Sequence, residues 1–135
     1  MNKQELYDQL AKNMRKRTEN GQTFYGATLE FLGLEDDGLA SRQTGLTTHL
    51  AGNAREALET FRIGEAFGRR RMPDVRWSTF VKDTGDADMI RVPHRACVQI
   101  EAEGNGYDRA MALLLEIAMG AAIMHQCQLR VVSAQ

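Results

Sequence analysis

The sequence predicts a two-layer α+β domain: an antiparallel or mixed sheet of four to five strands packed against three helices. Three observations carry this expectation. From Ala110 to Met124 the only charged side chain is Glu116, so this stretch reads as a helix enclosed by other elements. From Ala96 to Glu103, apolar Ala96, Val98, Ile100 and Ala102 alternate with Gln99, Glu101 and Glu103, as in a half-buried strand. Further strand-like segments lie between helix-like ones without regular βα alternation, which favours an antiparallel or mixed sheet. With 135 residues, the chain is expected to form one domain, 1–135, around one core.

Taken in order, the first segment runs from Asn2 to about Asn20. Leu6, Leu10 and Met14 recur every four residues with Tyr7 on the flank, which predicts one amphipathic helix ended by Gly21. Thr23 to Leu32 follows as a strand, with Tyr25, Ala27, Leu29 and Phe31 on its apolar face. Glu35 to Gly45 reads as a turn-forming linker, and Leu46 to Leu50 carries no decisive pattern. Asn53 and Glu56 have the spacing of a capping box and predict a helix start. Ala57, Leu58, Phe61 and Ala66 or Phe67 then supply an apolar face that expires at Gly68.

Val75, Trp77, Thr79 and Val81 alternate with Arg76, Ser78, Phe80 and Lys82 and predict another strand. Asp83-Thr84-Gly85-Asp86 suits a tight turn, with Met89–Val92 as a hairpin partner. The strand over Ala96–Glu103 and the buried helix from Tyr107 come next, and Leu129 to Val132 makes a last short strand.

Composition narrows the function classes. The chain is 43% hydrophobic and 26% charged, with a formal net charge of -1. A protein that holds nucleic acid by neutralising phosphates usually carries a positive excess, so only a local basic patch would serve. The Ala110–Met124 run is roughly 22 Å long as a helix, too short for a membrane span. The two cysteines, Cys97 and Cys127, stand in apolar surroundings and are expected as buried free thiols. The opening segment is charged and lacks an apolar targeting stretch, which points to the cytoplasm.

Basic residues gather twice. Lys12, Arg15, Lys16 and Arg17 fall at the predicted end of the first helix; Arg69, Arg70, Arg71 and Arg76 surround the end of the second, beside Trp77. Cations near helix C-termini are electrostatically favoured, which accounts for part of each group. Three consecutive arginines exceed that need. Forked guanidinium donors and an indole suit a carboxylate-rich protein surface, or phosphate and stacked bases.

Other constellations fall short. Asp83, Asp86 and Asp88 flank a glycine, but the twelfth position of a calcium loop would be His94. His94, Cys97, His125 and Cys127 are ligand types in two short segments without a zinc spacing. No serine or cysteine has a local nucleophile motif, and Gly64–Gly68 lacks the lysine of a phosphate loop. Glu116 is expected on an exposed helix edge or paired with an arginine.

The expected function is a non-enzymatic protein-binding or regulatory accessory module, homodimeric, without a cofactor. Its contact residues would be Arg69, Arg70, Arg71, Arg76, Trp77, Lys12, Arg15 and Lys16, and its dimer seam the Gly120–Ala122 surface or an edge strand. The alternatives are nucleic-acid binding through the same basic groups and a small metal-dependent hydrolase using the acidic turn and His94.

Overall fold

The computed structural model describes residues 2–33, 46–82 and 95–132. Its described elements are helix α1 (Lys3–Lys12), strands β1 (Arg15–Glu19) and β2 (Gln22–Leu32), helix α2 (Leu46–Arg71), strands β3 (Trp77–Lys82) and β4 (Arg95–Glu103), a 3-10 turn over Gly104–Gly106, helix α3 (Tyr107–Met124) and strand β5 (Gln128–Val131). All pairings among the five strands are antiparallel. The order is β1-β2-β4-β3, and β5 also pairs with β2. One edge of β2 is therefore shared: Gln22–Gly26 pairs with β1, and Leu29–Leu32 with β5. The predicted two-layer α+β fold is the observed one, with an antiparallel sheet and three helices among the described residues.

The core follows strand alternation. Leu29 and Phe31 of β2, Val98 and Ile100 of β4, and Leu129 and Val131 of β5 are buried against the helices. Phe31 meets Phe61 of α2 in a tilted pair with ring centroids 6.1 Å apart. From α3, Leu114, Leu115 and Ala118 fill the same core.

The two long helices run antiparallel and touch closely because α2 carries two glycines one turn apart. A Cβ on Gly64 would lie 2.6 Å from Ile117 Cγ2, and one on Gly68 2.9 Å from Leu113 Cδ2. Gly64 and Gly68 are thus a groove that receives two α3 side chains. At its far end α3 closes in a Schellman turn. Cys127 N–H donates to Ala122 O at 2.8 Å, with Gln126 left-handed at φ 56°.

Four expectations need correction. The first helix stops at Lys12, and Arg15–Glu19 is a strand, because Asn20 (φ 52°) and Gly21 (φ 79°) form the two-residue turn of a β-hairpin. Arg15, Lys16 and Arg17 therefore belong to β1 and not to a helix end. The second helix is already formed at Leu46, so Asn53 is not its N-cap. That helix also continues through Gly68 to Arg71. Its inward face runs through Ala54, Ala57, Leu58, Phe61, Glu65 and Gly68, while Ala66 and Phe67 point outward. Finally, α3 is not enclosed all round: Ile123 and Met124 are exposed, and Glu116 reaches Lys3 Nζ at 2.6 Å. The predicted Glu35–Gly45 linker, the Asp83–Asp86 turn, the Met89–Val92 strand and His94 lie outside the described residues. The described antiparallel neighbour of β3 is β4.

Candidate interaction surface

The last turn of α2 leads into β3, and a buried carboxylate ties the two together. Glu65 is only 6% exposed. Its Oε1 accepts from Arg69 Nη2 (2.7 Å), Arg69 Nε (3.1 Å) and Trp77 Nε1 (3.1 Å), and its Oε2 from Thr79 Oγ1 at 2.7 Å. The Arg69 guanidinium also lies 4.8 Å from the Trp77 ring centroid. A buried charge needs this kind of saturation, because its desolvation is costly unless hydrogen bonds replace water.

This arrangement sorts the predicted contact residues. Trp77 is 4% exposed, with its indole N–H committed to Glu65, so it buttresses Arg69 and offers little surface to a partner. Arg69 is half spent on the same carboxylate. Arg70, Arg71 and Arg76 are exposed and form no ion pair among the described residues. Arg70 instead stacks on Phe67, 5.7 Å from its ring centroid.

The other basic group is divided by the hairpin. Arg17 binds Glu101 through Nη2 at 2.6 Å and also pairs with Glu19, while its guanidinium covers the Phe24 ring at 4.5 Å. That hydrogen-bonded guanidinium holds the Glu101 carboxyl below its ordinary range, against partial desolvation. Arg15 donates to Thr28. Lys12 and Lys16 are exposed on α1 and β1.

The two groups approach each other only across an intervening acidic wall. A cleft of about 420 Å³ is lined by Arg69 and Arg76 on one side and by Phe24, Glu101 and Glu103 on the other. Lys12, Arg15 and Lys16 do not line it.

The sheet face away from α2 and α3 carries a second buried carboxylate. Glu30 has no exposed surface, and its Oε1 accepts from Arg130 Nε at 2.6 Å. Arg95 Nε forms an ion-pair contact with Oε2 without hydrogen-bond alignment, and the Cys97 thiol donates to Oε2 at 3.5 Å. Burial pushes the Cys97 thiol pKa up, with Arg95 opposing and Glu30 adding to the rise. Burial likewise raises Cys127, to about 11, with Glu56 adding. Both thiols are free and buried, as the sequence suggests. Cys127 packs in the core between sheet and helices, whereas Cys97 lies on the opposite face of the sheet. Among the described residues no group of three or more His, Cys, Asp or Glu side chains converges as a metal site. No described helix is long and apolar enough to cross a membrane.

The feature that sequence reasoning missed is an apolar ridge along the α2–α3 seam. Ile63 and Phe67 immediately precede Gly64 and Gly68, so at 3.6 residues per turn they sit on the outward flank of the seam. Gly120 and Met124 follow Ile117 on the outward flank of α3, and Ile123 lies farther round. Ile63, Phe67, Ile123 and Met124 are 60%, 59%, 69% and 68% exposed. Phe67 was readable only as part of a continuing inward face. The displaced register, which gives the inward place to Glu65, is what puts it outside.

No protein-family model matches the chain, and no curated protein matches it.

Proposed function

We propose that this chain is a non-enzymatic protein-binding accessory module of the cytoplasm that works as a homodimer, with the α2–α3 ridge as its seam. The exposed ridge is the observation that carries the reading. Large apolar side chains grouped on one surface mark contact sites more often than isolated ones do. Gly120 leaves bare backbone on that surface with open space around it: a Cβ at that position would meet nothing within 4 Å. The other seam expected from the sequence is an edge strand; on the outer edge of β5 the Val131 N–H already donates to Gln9 Oε1 of α1 at 3.4 Å. Of the Gly120–Ala122 surface, only Gly120 faces outward, and Ala121 and Ala122 are buried.

Arg70, Arg71 and Arg76, which form no ion pair among the described residues, extend from one end of the ridge and suit an acidic partner surface. Their free charge is smaller than the sequence implies, because Arg15, Arg17 and Arg69 have intramolecular partners. This favours a protein over nucleic acid, which needs several uncommitted cations along its phosphates.

Sedimentation equilibrium of the unmodified chain and of an Ile63→Glu, Phe67→Glu variant tests the dimer. The expected result is a dimer that the variant converts to a folded monomer. An Arg70→Glu, Arg71→Glu variant should remain dimeric and lose a partner captured by the unmodified protein from its native extract. Retained capture would return these arginines to solvated surface.

A further inference from the structure

A separate pocket of about 640 Å³ opens between α1 and the start of α3, away from the ridge and the basic end of α2. Tyr7 from α1, Tyr25 from β2 and Tyr107 from α3 supply aromatic walls, and Leu10 and Met111 supply apolar surface. Tyr25 and Tyr107 form a corner, their ring centroids 5.5 Å apart and their planes inclined by 58°. Gly104 helps to set it: a Cβ there would lie 3.2 Å from Tyr25 Cε2, so the ring rests against bare backbone.

Two further observations give the pocket a charge preference. Asp108 is the sole formal charge among its described lining residues. Its carboxylate is exposed and has no ion-pair partner among the described residues. The aromatic chemistry points the same way. A tyrosine ring has an electron-rich face, and the Lys3 ammonium, held by Glu116, stands 5.9 Å from the Tyr7 ring centroid. Burial and the neighbouring Asp108 raise the Tyr107 pKa, so the phenol stays neutral. An anion would gain from the start of α3, where Gly106 provides no side-chain cap, but the Asp108 carboxylate already occupies that first turn.

We propose that this pocket binds a quaternary ammonium group, with the cation in the Tyr25–Tyr107 corner near Asp108 and its apolar portion against Leu10 and Met111. A quaternary ammonium fits better than a primary one. It has no N–H donors to satisfy, and its methyl groups can contact the rings and apolar wall while its charge is drawn to the aromatic faces. The volume is in the range of small-molecule sites, about 300–1,000 Å³.

The test compares choline with 3,3-dimethylbutan-1-ol, the neutral molecule of nearly the same shape, by NMR titration of the intact chain. Choline should give saturable shifts at the Tyr25 and Tyr107 ring protons and bind about tenfold more tightly than the neutral alcohol. Asp108→Asn, an exposed change that leaves the packing intact, should weaken choline and leave the alcohol unaffected. Tyr107→Leu should weaken choline further. Equal affinity for the two molecules would overturn the proposal, as would the absence of saturable choline shifts up to about 100 mM.

Discussion

Replacing Glu65 by alanine should destabilise the protein far more than replacing any single exposed arginine. The substitution removes the acceptor of four hydrogen bonds from three side chains. Arg69 has 44% of its side chain exposed, so it can turn to water and most of its loss is recovered. Trp77 cannot, being 4% exposed, and its indole N–H would be stranded at a cost of about 1–3 kcal/mol. Thr79 is half-buried and adds a smaller loss. With the missing packing of the Glu65 stem, the total should fall near 3–4 kcal/mol, within the range for breaking a buried charged network. Urea denaturation followed by far-ultraviolet circular dichroism measures it directly. A double-mutant cycle with Trp77→Phe should give a coupling of about 1–2 kcal/mol, because phenylalanine has no N–H to strand. A loss below about 1 kcal/mol for Glu65→Ala would refute the claim that this carboxylate pins α2 to β3.

The enclosed and seam positions of α3 should separate. Leu114→Ala, at a fully buried site, should cost about 3–4 kcal/mol in the same assay, and half-buried Ile117→Ala about 1–2 kcal/mol. Equal costs would contradict the placement of Ile117 at the seam. Acidification should weaken the contact between β1 and the sheet. Because Arg17 depresses the folded Glu101 pKa, its stabilisation is present above the ordinary carboxylate value and lost as pH falls through the folded one. In Arg17→Gln the Glu101 carboxyl should titrate closer to the ordinary value by NMR, and an unchanged midpoint would remove Arg17 as the cause.

The fold class, β2, β4, α3 and β5 were legible because each is long or strongly patterned. Alternation in Ala96–Glu103 and the apolar density of Ala110–Met124 speak for themselves. The first segment misled for a physical reason: Leu6, Leu10 and Met14 keep helical spacing past the point where the chain has turned. Asn20-Gly21 carried the missing signal, since this dipeptide readily adopts the two positive φ values of a tight hairpin, and it implied a strand on each side. The candidate interaction surface was less legible because it depends on tertiary partners. No spacing shows that Glu65, twelve residues before Trp77, takes its indole N–H, or that Glu101 takes Arg17. The ridge was hidden by a register choice of two residues, Glu65 against Phe67. The pocket at Tyr25 and Tyr107 gathers residues far apart in the chain, and no local motif announces it.

Sedimentation equilibrium at micromolar concentration tests the proposed homodimer across the α2–α3 ridge. The unmodified protein should sediment as a species of twice the 15.1 kDa chain mass. The Ile63→Glu, Phe67→Glu variant should sediment at the single-chain mass, with an unchanged far-ultraviolet circular dichroism spectrum. A 15.1 kDa species for the unmodified protein throughout that range would contradict it, as would a variant that stays dimeric.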